Sequence, residues 1–330
     1  MSLTFHIIYT PETVKPLLPL LYSLLKWSDC HFRLVANGCS AGEQATLQHL
    51  CADQARLTYM ALPTTQVMVH GHALNYLQTQ NQEPYFCFMD SDIYAIDAFL
   101  PTFLPQLADR AALFSGMSLR FPPTGLVAPK DKDFLAGPFT YTAGQLCVGT
   151  TFFAIYHNET LTQLREATGI GFTKYRWRAI PPAYQEQLVH IGAHYQQYDT
   201  AKLLNLLLHL HGHQLHYQPC AVLRHIEGVS RFAVIRRRSW WAAVRAWGGR
   251  WRRRLAGQQV NRGYDEALPY LSCLLLALAN EQQLPSPPPL PDAAHQAWVA
   301  AARSELVALH AEFVQNGARS IGKGSHVVDL

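Results

Sequence analysis

Apolar residues over the first hundred positions fall into runs that alternate in length and period. "FHIIYT", "HFRLVANG", "RLTYMALP" and "PYFCFMD" are brief and nearly continuous, the pattern of buried strands. Between them, "TVKPLLPLLYSLLKW", "AGEQATLQHLCAD" and "GHALNYLQTQ" space their apolar positions as helices do. Strands alternating with helices predict an α/β fold: a Rossmann-like, mostly parallel mixed sheet with helices on both faces. Ligands bind at the carboxyl ends of the strands in such sheets. Asp90 and Asp92 stand at one of those ends, directly after the run "PYFCFM".

The pattern loosens beyond residue 97. "AALFSGMS" and "GQLCVGTTFFAIYH" read as further strands, separated by the Pro- and Gly-containing loop "RFPPTGLVAPKDKDFLAGPF". "NETLTQLREAT" reads as a helix capped by Asn158, and "DTAKLLNLLLHLHG" as one with Asp199 at its N-cap and Gly212 at its end. The strand-like "HYQPCAVLRHIEG" follows. From about residue 233 the chain reads helical, with "LPSPPPLPD" as a linker, so the expected division is an α/β domain over 1–232 and a helical, Arg/Trp-rich region over 233–330.

Composition narrows the class. With 330 residues, 49% of them hydrophobic, the chain can bury a large core. Its seven cysteines form no CxxC pair, which argues against a disulfide framework or a zinc site and for a reducing compartment. The N-terminus lacks the basic region and cleavage site of a secretory signal, and no uncharged apolar run reaches the ~18 residues of a membrane span, so the expected location is cytoplasmic. The net charge of +4 is uneven. Ten arginines and no acid lie between Gly228 and Tyr264, which leaves the rest of the chain near −6.

The carboxylates at the end of the fourth strand carry the sharpest chemical signal. An Asp-x-Asp on a turning backbone offers hard oxygen ligands to a divalent cation, and Mg²⁺ or Mn²⁺ shares such ligands with phosphates. A buried strand that ends on an unpaired carboxylate would otherwise be costly. A second Asp-x-Asp, Asp131-Lys132-Asp133, has no apolar strand before it and reads as a solvated loop.

With its alternating N-terminal half and "FMDSD" strand end, the chain resembles nucleotide-sugar-dependent glycosyltransferases of the GT-A type over roughly residues 4 to 231. The resemblance implies a metal-dependent transferase acting on a nucleotide-sugar donor, with Asp90 and Asp92 on Mn²⁺ or Mg²⁺ and Asp90 also near the nucleotide. "RHIEGVSRF" is similar to a His-x-x-Gly-x-x-Lys pattern of one retaining group: His225 would be a further metal ligand, Gly228 would admit close backbone approach, and Arg231, in place of Lys, would contact the diphosphate. "QQYDTAKLLN" places Asp199 where inverting members keep a general base at a helix start; the competing reading is an ordinary cap. Thr10 and Asn37, after the first two strands, are the expected contacts to base and ribose, and Gly144 with Gln145 the expected lining of the donor sugar. These features imply a UDP-sugar donor and a glycan or lipid-linked hydroxyl acceptor, with inversion favoured over retention.

"RRRSWWAAVRAWGGRWRRRL" sets tryptophans and arginines near one helical face, a pattern suited to an anionic membrane surface, so residues 231–254 are the expected contact of a peripheral protein on the inner face of the membrane. The bland reading is a helix packed through its tryptophans. No nucleic-acid motif accompanies the charge. "HLHGHQLH" reads as a polar helix terminus rather than a metal cluster. Two rival classes are a haloacid-dehalogenase-like phosphatase, in which the first Asp is a nucleophile, and a non-catalytic protein that binds anionic surfaces.

Overall fold

The computed structural model describes residues 2–115, 133–136, 140–141, 146–149, 152–226, 228–229, 262–290 and 292–317. The first three predicted strands and helices form as expected: β1 (Thr4–Tyr9), α1 (Val14–Lys26), β2 (His31–Ala36), α2 (Ala41–Asp53), β3 (Leu57–Ala61) and α3 (His70–Thr79). Local chemistry sets some of these limits. Ser40 caps α2, accepting from the Glu43 N–H, while the Glu43 carboxylate returns to the Ser40 N–H.

β4 (Tyr85–Asp90) leads through Ser91 and Asp92 into the short β5 (Ile93–Ala95), and α4 (Leu100–Phe103) and β6 (Ala112–Phe114) follow. Next come β7 (Phe134–Leu135), β8 (Thr140–Tyr141), β9 (Leu146–Cys147), β10 (Phe153–His157), α5 (Asn158–Thr168), β11 (Tyr175–Arg176) and α6 (Pro182–His190). The remainder is β12 (Gln197–Tyr198), α7 (Lys202–Leu210), β13 (Leu215–Tyr217), β14 (Leu223–His225), α8 (Arg262–Ala279) and α9 (Ala293–Glu312).

Seven strands make the central sheet in the order β13-β6-β10-β4-β1-β2-β3. β1 pairs in parallel with β2 and β4, and β2 with β3, while β10 runs antiparallel between β4 and β6. The expected mostly parallel mixed sheet is therefore present. Alternate residues of each strand face opposite sides. Phe5, Ile7, Cys87, Met89, Phe153 and Ile155 enter a core with α1, α2, α8 and α9. Phe86, Phe88, Ala154 and Tyr156 enter a second core with α3, α5, α6 and α7. Burial on both faces explains why β4 reads as an almost unbroken apolar run.

Two cap expectations need correction. α5 begins at Asn158 itself, with His157 at the N-cap; the Asn158 side chain accepts from Gln78 and donates to the Asn81 carbonyl instead. α7 starts at Lys202, not Asp199, after Ala201 in a left-handed conformation (φ 63°). Asp199 caps no helix there, because β12 continues to Tyr198 and the turn needs residues 199–201. The strand expected across "HYQPCAVLRHIEG" divides into β13, which joins the central sheet, and β14, which pairs with β5.

Candidate metal centre

The parallel strands β1, β2 and β4 share one direction, so the segments that follow them gather at one edge of the sheet. Ile8 pairs with Asp90 in register, and the Asn37 N–H continues the β1–β2 ladder by donating to the Tyr9 carbonyl at 2.9 Å. Thr10, Asn37 and Asp90 thus end up around one opening for reasons of topology alone. They line a cleft of about 320 Å³ with Ile8, Val67, Met68, Val69, His70, Ser91, Asp92 and Gly228.

β5 and β14 form a two-stranded antiparallel ribbon below this cleft. Its register sets His225 opposite Ile93 and Arg224 opposite Tyr94, and the Ile226 N–H donates to the Asp92 carbonyl at 3.1 Å. His225 is brought to the aspartates across 133 residues of chain: its Nε2 lies 3.1 Å from Asp92 Oδ1 and 3.4 Å from Asp90 Oδ2. One ligand atom from each of the three residues lies within 4.8 Å of the others. Asp92 and His225 are almost fully buried, whereas Asp90 is 37% exposed and opens the group to solvent.

Gly228 serves this geometry through its backbone. Its φ of 84° is a left-handed turn that L side chains rarely adopt, and a Cβ there would meet the Leu268 side chain at 3.1 Å, so conformation more than space selects glycine. The turn returns the next N–H, that of Val229, to Asp92 Oδ2 at 3.0 Å.

The electrostatics follow from this enclosure. Burial alone would raise the Asp92 pKa, but the charge and hydrogen bond of His225, with the Val229 N–H, outweigh it and hold the carboxyl below its usual range. Burial alone would lower the His225 pKa, yet Asp92 and Asp90 reverse this and raise it to about 10. Held between two carboxylates, the ring is biased towards its protonated form. Two carboxylate oxygens and, on a neutral ring, one imidazole nitrogen would suit Mn²⁺, and Mg²⁺ mainly through the carboxylates.

Asn37 is committed differently from its expected part in base and ribose contact. Its amide donates to the Met68 carbonyl at 2.9 Å and its oxygen accepts the Met68 N–H at 2.7 Å. It holds the segment Val67–Val69 as one wall of the cleft, and Val67 and Val69 remain exposed there. The sequence reading missed this wall. Its only local signal is the pair of valines flanking Met68 just before α3.

Asp199 does not line the cleft. Its Oδ1 accepts the Thr200 N–H at 2.9 Å and pairs with Lys174 Nζ at 2.9 Å. The neighbouring Phe172 carbonyl accepts the Ala201 N–H, and residues 172–173 pack against Gly71, next to the cleft residue His70. This connects the Asp199 region to the His70 side of the site.

Three polar side chains of α7 engage consecutive carbonyls: Lys202 on Gly149, Asn205 on Val148, and His209 on Cys147 at 3.0 Å. His209 is thus occupied by backbone, in keeping with the reading of "HLHGHQLH" as a polar helix end. Gly144, Gln145, Arg231 and the arginine segment 231–254 lie outside the described residues. No helix among the described residues is long and apolar enough to cross a membrane.

No known family profile and no curated protein sequence matches the chain. Solved structures resemble it. One is the mannosyltransferase PcManGT from Pyrobaculum calidifontis in complex with GDP-Man and Mn²⁺, with 13% identity over 97% of this chain and 76% of that one and a TM-score of 0.44. Another is the glycosyltransferase GlyE of Streptococcus pneumoniae TIGR4, with 10% identity, 99% and 66% coverage and a TM-score of 0.42. A third is S. aureus TarS 1-349 in complex with UDP, with 13% identity, 98% and 94% coverage and a TM-score of 0.38. At these identities and scores the functional reading rests on the site itself.

Proposed function

We propose that this chain is a metal-dependent glycosyltransferase of the GT-A type, which transfers a sugar from a nucleotide donor, UDP-linked, to a hydroxyl of a glycan or lipid-linked acceptor with inversion. The observation that carries this reading is the convergence of Asp90, Asp92 and His225 at the carboxyl edge of a parallel sheet, beside an open cleft.

Asp90, Asp92 and His225 would hold Mn²⁺ or Mg²⁺, which when bound neutralises the charge of a diphosphate leaving group. The chain supplies the rest. Thr10 and the wall held by Asn37 flank the space for the nucleoside, and Gly228 lets backbone approach the phosphates. Arg231 adds a guanidinium fork three residues later in the sequence. Asp199, paired with Lys174, is the proposed acceptor of the hydroxyl proton, a role that needs the acceptor hydroxyl to lie between it and the donor sugar. In a retaining enzyme Asp199 would have no such duty.

A thermal-shift panel of nucleotide sugars with and without Mn²⁺ tests this function. The expected result is one donor that raises Tm only with the cation, and loss of that shift in Asp92→Asn. If no donor gives a cation-dependent shift, the reading is wrong. The anomeric configuration of the product, read by NMR, separates inversion from retention.

A further inference from the structure

The metal-ligating imidazole lacks the support such a group usually has. Histidines that bind metals normally donate their second ring nitrogen to a carboxylate or carbonyl, which fixes the ring. His225 Nδ1 is buried and has no hydrogen-bond partner among the described residues. The ring of Phe152 lies against the imidazole with centroids 4.5 Å apart, and beyond this contact and those of Nε2 with Asp90 and Asp92 its orientation depends on the ribbon that carries it. What holds the ribbon therefore holds the ligand.

One end of the ribbon is tied to α1, where the Ala95 N–H donates to the buried Ser23 hydroxyl at 2.9 Å. The rung next to His225 is tied to α9. Tyr94 and Arg224 are cross-strand partners, and both meet one oxygen of Glu305: the Tyr94 hydroxyl donates to Oε2 at 2.6 Å, and Arg224 Nε lies 3.7 Å from the same atom. The Tyr94 side chain is almost fully buried, and Arg224 Nε is buried with no hydrogen-bond partner among the described residues. Without Glu305 the buried Tyr94 hydroxyl would lose its acceptor and the partly exposed Arg224 its ion-pair partner, so this rung would lose its tie to α9.

We infer that Glu305 is a positioning residue for the metal centre: the C-terminal helix, through Tyr94 and Arg224, sets the rung beside His225 and thereby the aim of the imidazole at Asp90 and Asp92. This rests on the reading of that cluster as a cation site. It gives α9 a part in the chemistry although no residue of α9 lines the cleft.

The test is titration of the full-length protein with Mn²⁺ alone, free ion followed by electron paramagnetic resonance, with Tm measured separately without metal. Wild type, Asp92→Asn, Glu305→Ala, Glu305→Gln and Tyr94→Phe are compared well below their Tm. Asp92→Asn should abolish saturable binding. Glu305→Ala and Tyr94→Phe, one step removed from the ligand, should each weaken it by up to about tenfold, the lower end of the scale for losing a partner bonded to the ligand itself. Glu305→Gln, which keeps an acceptor for Tyr94, should stay within about threefold of wild type. Unchanged Mn²⁺ affinity in Tyr94→Phe and Glu305→Ala, even with lowered Tm, would mean that Glu305 only stabilises the fold. If Glu305→Ala does not fold, Tyr94→Phe alone decides. Wild type without saturable binding, or Asp92→Asn binding like wild type, would overturn the metal site itself and this inference with it.

Discussion

Lys202 shows how far a single residue can depart from what its type suggests. It stands at the first position of α7, is 2% exposed, and donates to the Gly149 carbonyl. Burial lowers its pKa from 10.5 to about 7, with Asp199 opposing the shift. Between those two pH values the unfolded chain holds the proton and the folded chain does not, so stability rises with pH across this window. Relative to Lys202→Met, the wild type should gain roughly 1.4 kcal/mol for each pH unit from about 7 towards 10.5, and denaturant melts of both proteins across that range would show it. Asp92 is the opposite case. Equally buried, it is held below the usual carboxylate range by an imidazole and an N–H, so the same burial ends in opposite outcomes according to whether an opposite charge outweighs it.

At the scale of elements, the segment between β3 and α3 is where side chain and loop decide the cleft together. Asn37 follows β2 and grips both main-chain groups of Met68. Asn37→Ala should cost about 1–3 kcal/mol, the usual penalty for leaving buried polar groups unpaired, and Asn37→Asp at least as much, since a carboxylate would face the Met68 carbonyl. Chemical denaturation reads the loss, and a donor KM that rises with little change in kcat would show that the wall is what moved. The asparagine is explained by the need for a donor and an acceptor in one side chain.

The whole molecule is knit by its C-terminal helices. α8 and α9 bury Leu271, Leu274, Val299, Ala302 and Leu306 in the core that also holds Leu20, Leu24 and Phe5. The ion pair of Lys26 with Glu312 sits on the surface and adds little by comparison. The described part of the region read as separate beyond residue 232 therefore shares the packing of the sheet. Leu306→Ala should lower stability by about 2–5 kcal/mol, and near- and far-ultraviolet circular dichroism should report the loss in one common transition.

The sequence alone determined β1 to β4, the helices between them and the carboxylates at the end of β4, because period and composition are local properties that each segment carries by itself. His225 and Gly228 were marked by the resemblance of "RHIEGVSRF" to a His-x-x-Gly-x-x-Lys pattern, and the left-handed turn at Gly228 is seen only in the structure. Tertiary structure alone decided which groups meet. The register of β5 against β14 sets His225 on Asp92, a commitment to Met68 takes up the amide of Asn37, and the docking of α9 puts Glu305 between Tyr94 and Arg224. Those choices depend on contacts between segments far apart in the chain, where a partner is selected by packing and register, and no local pattern encodes them.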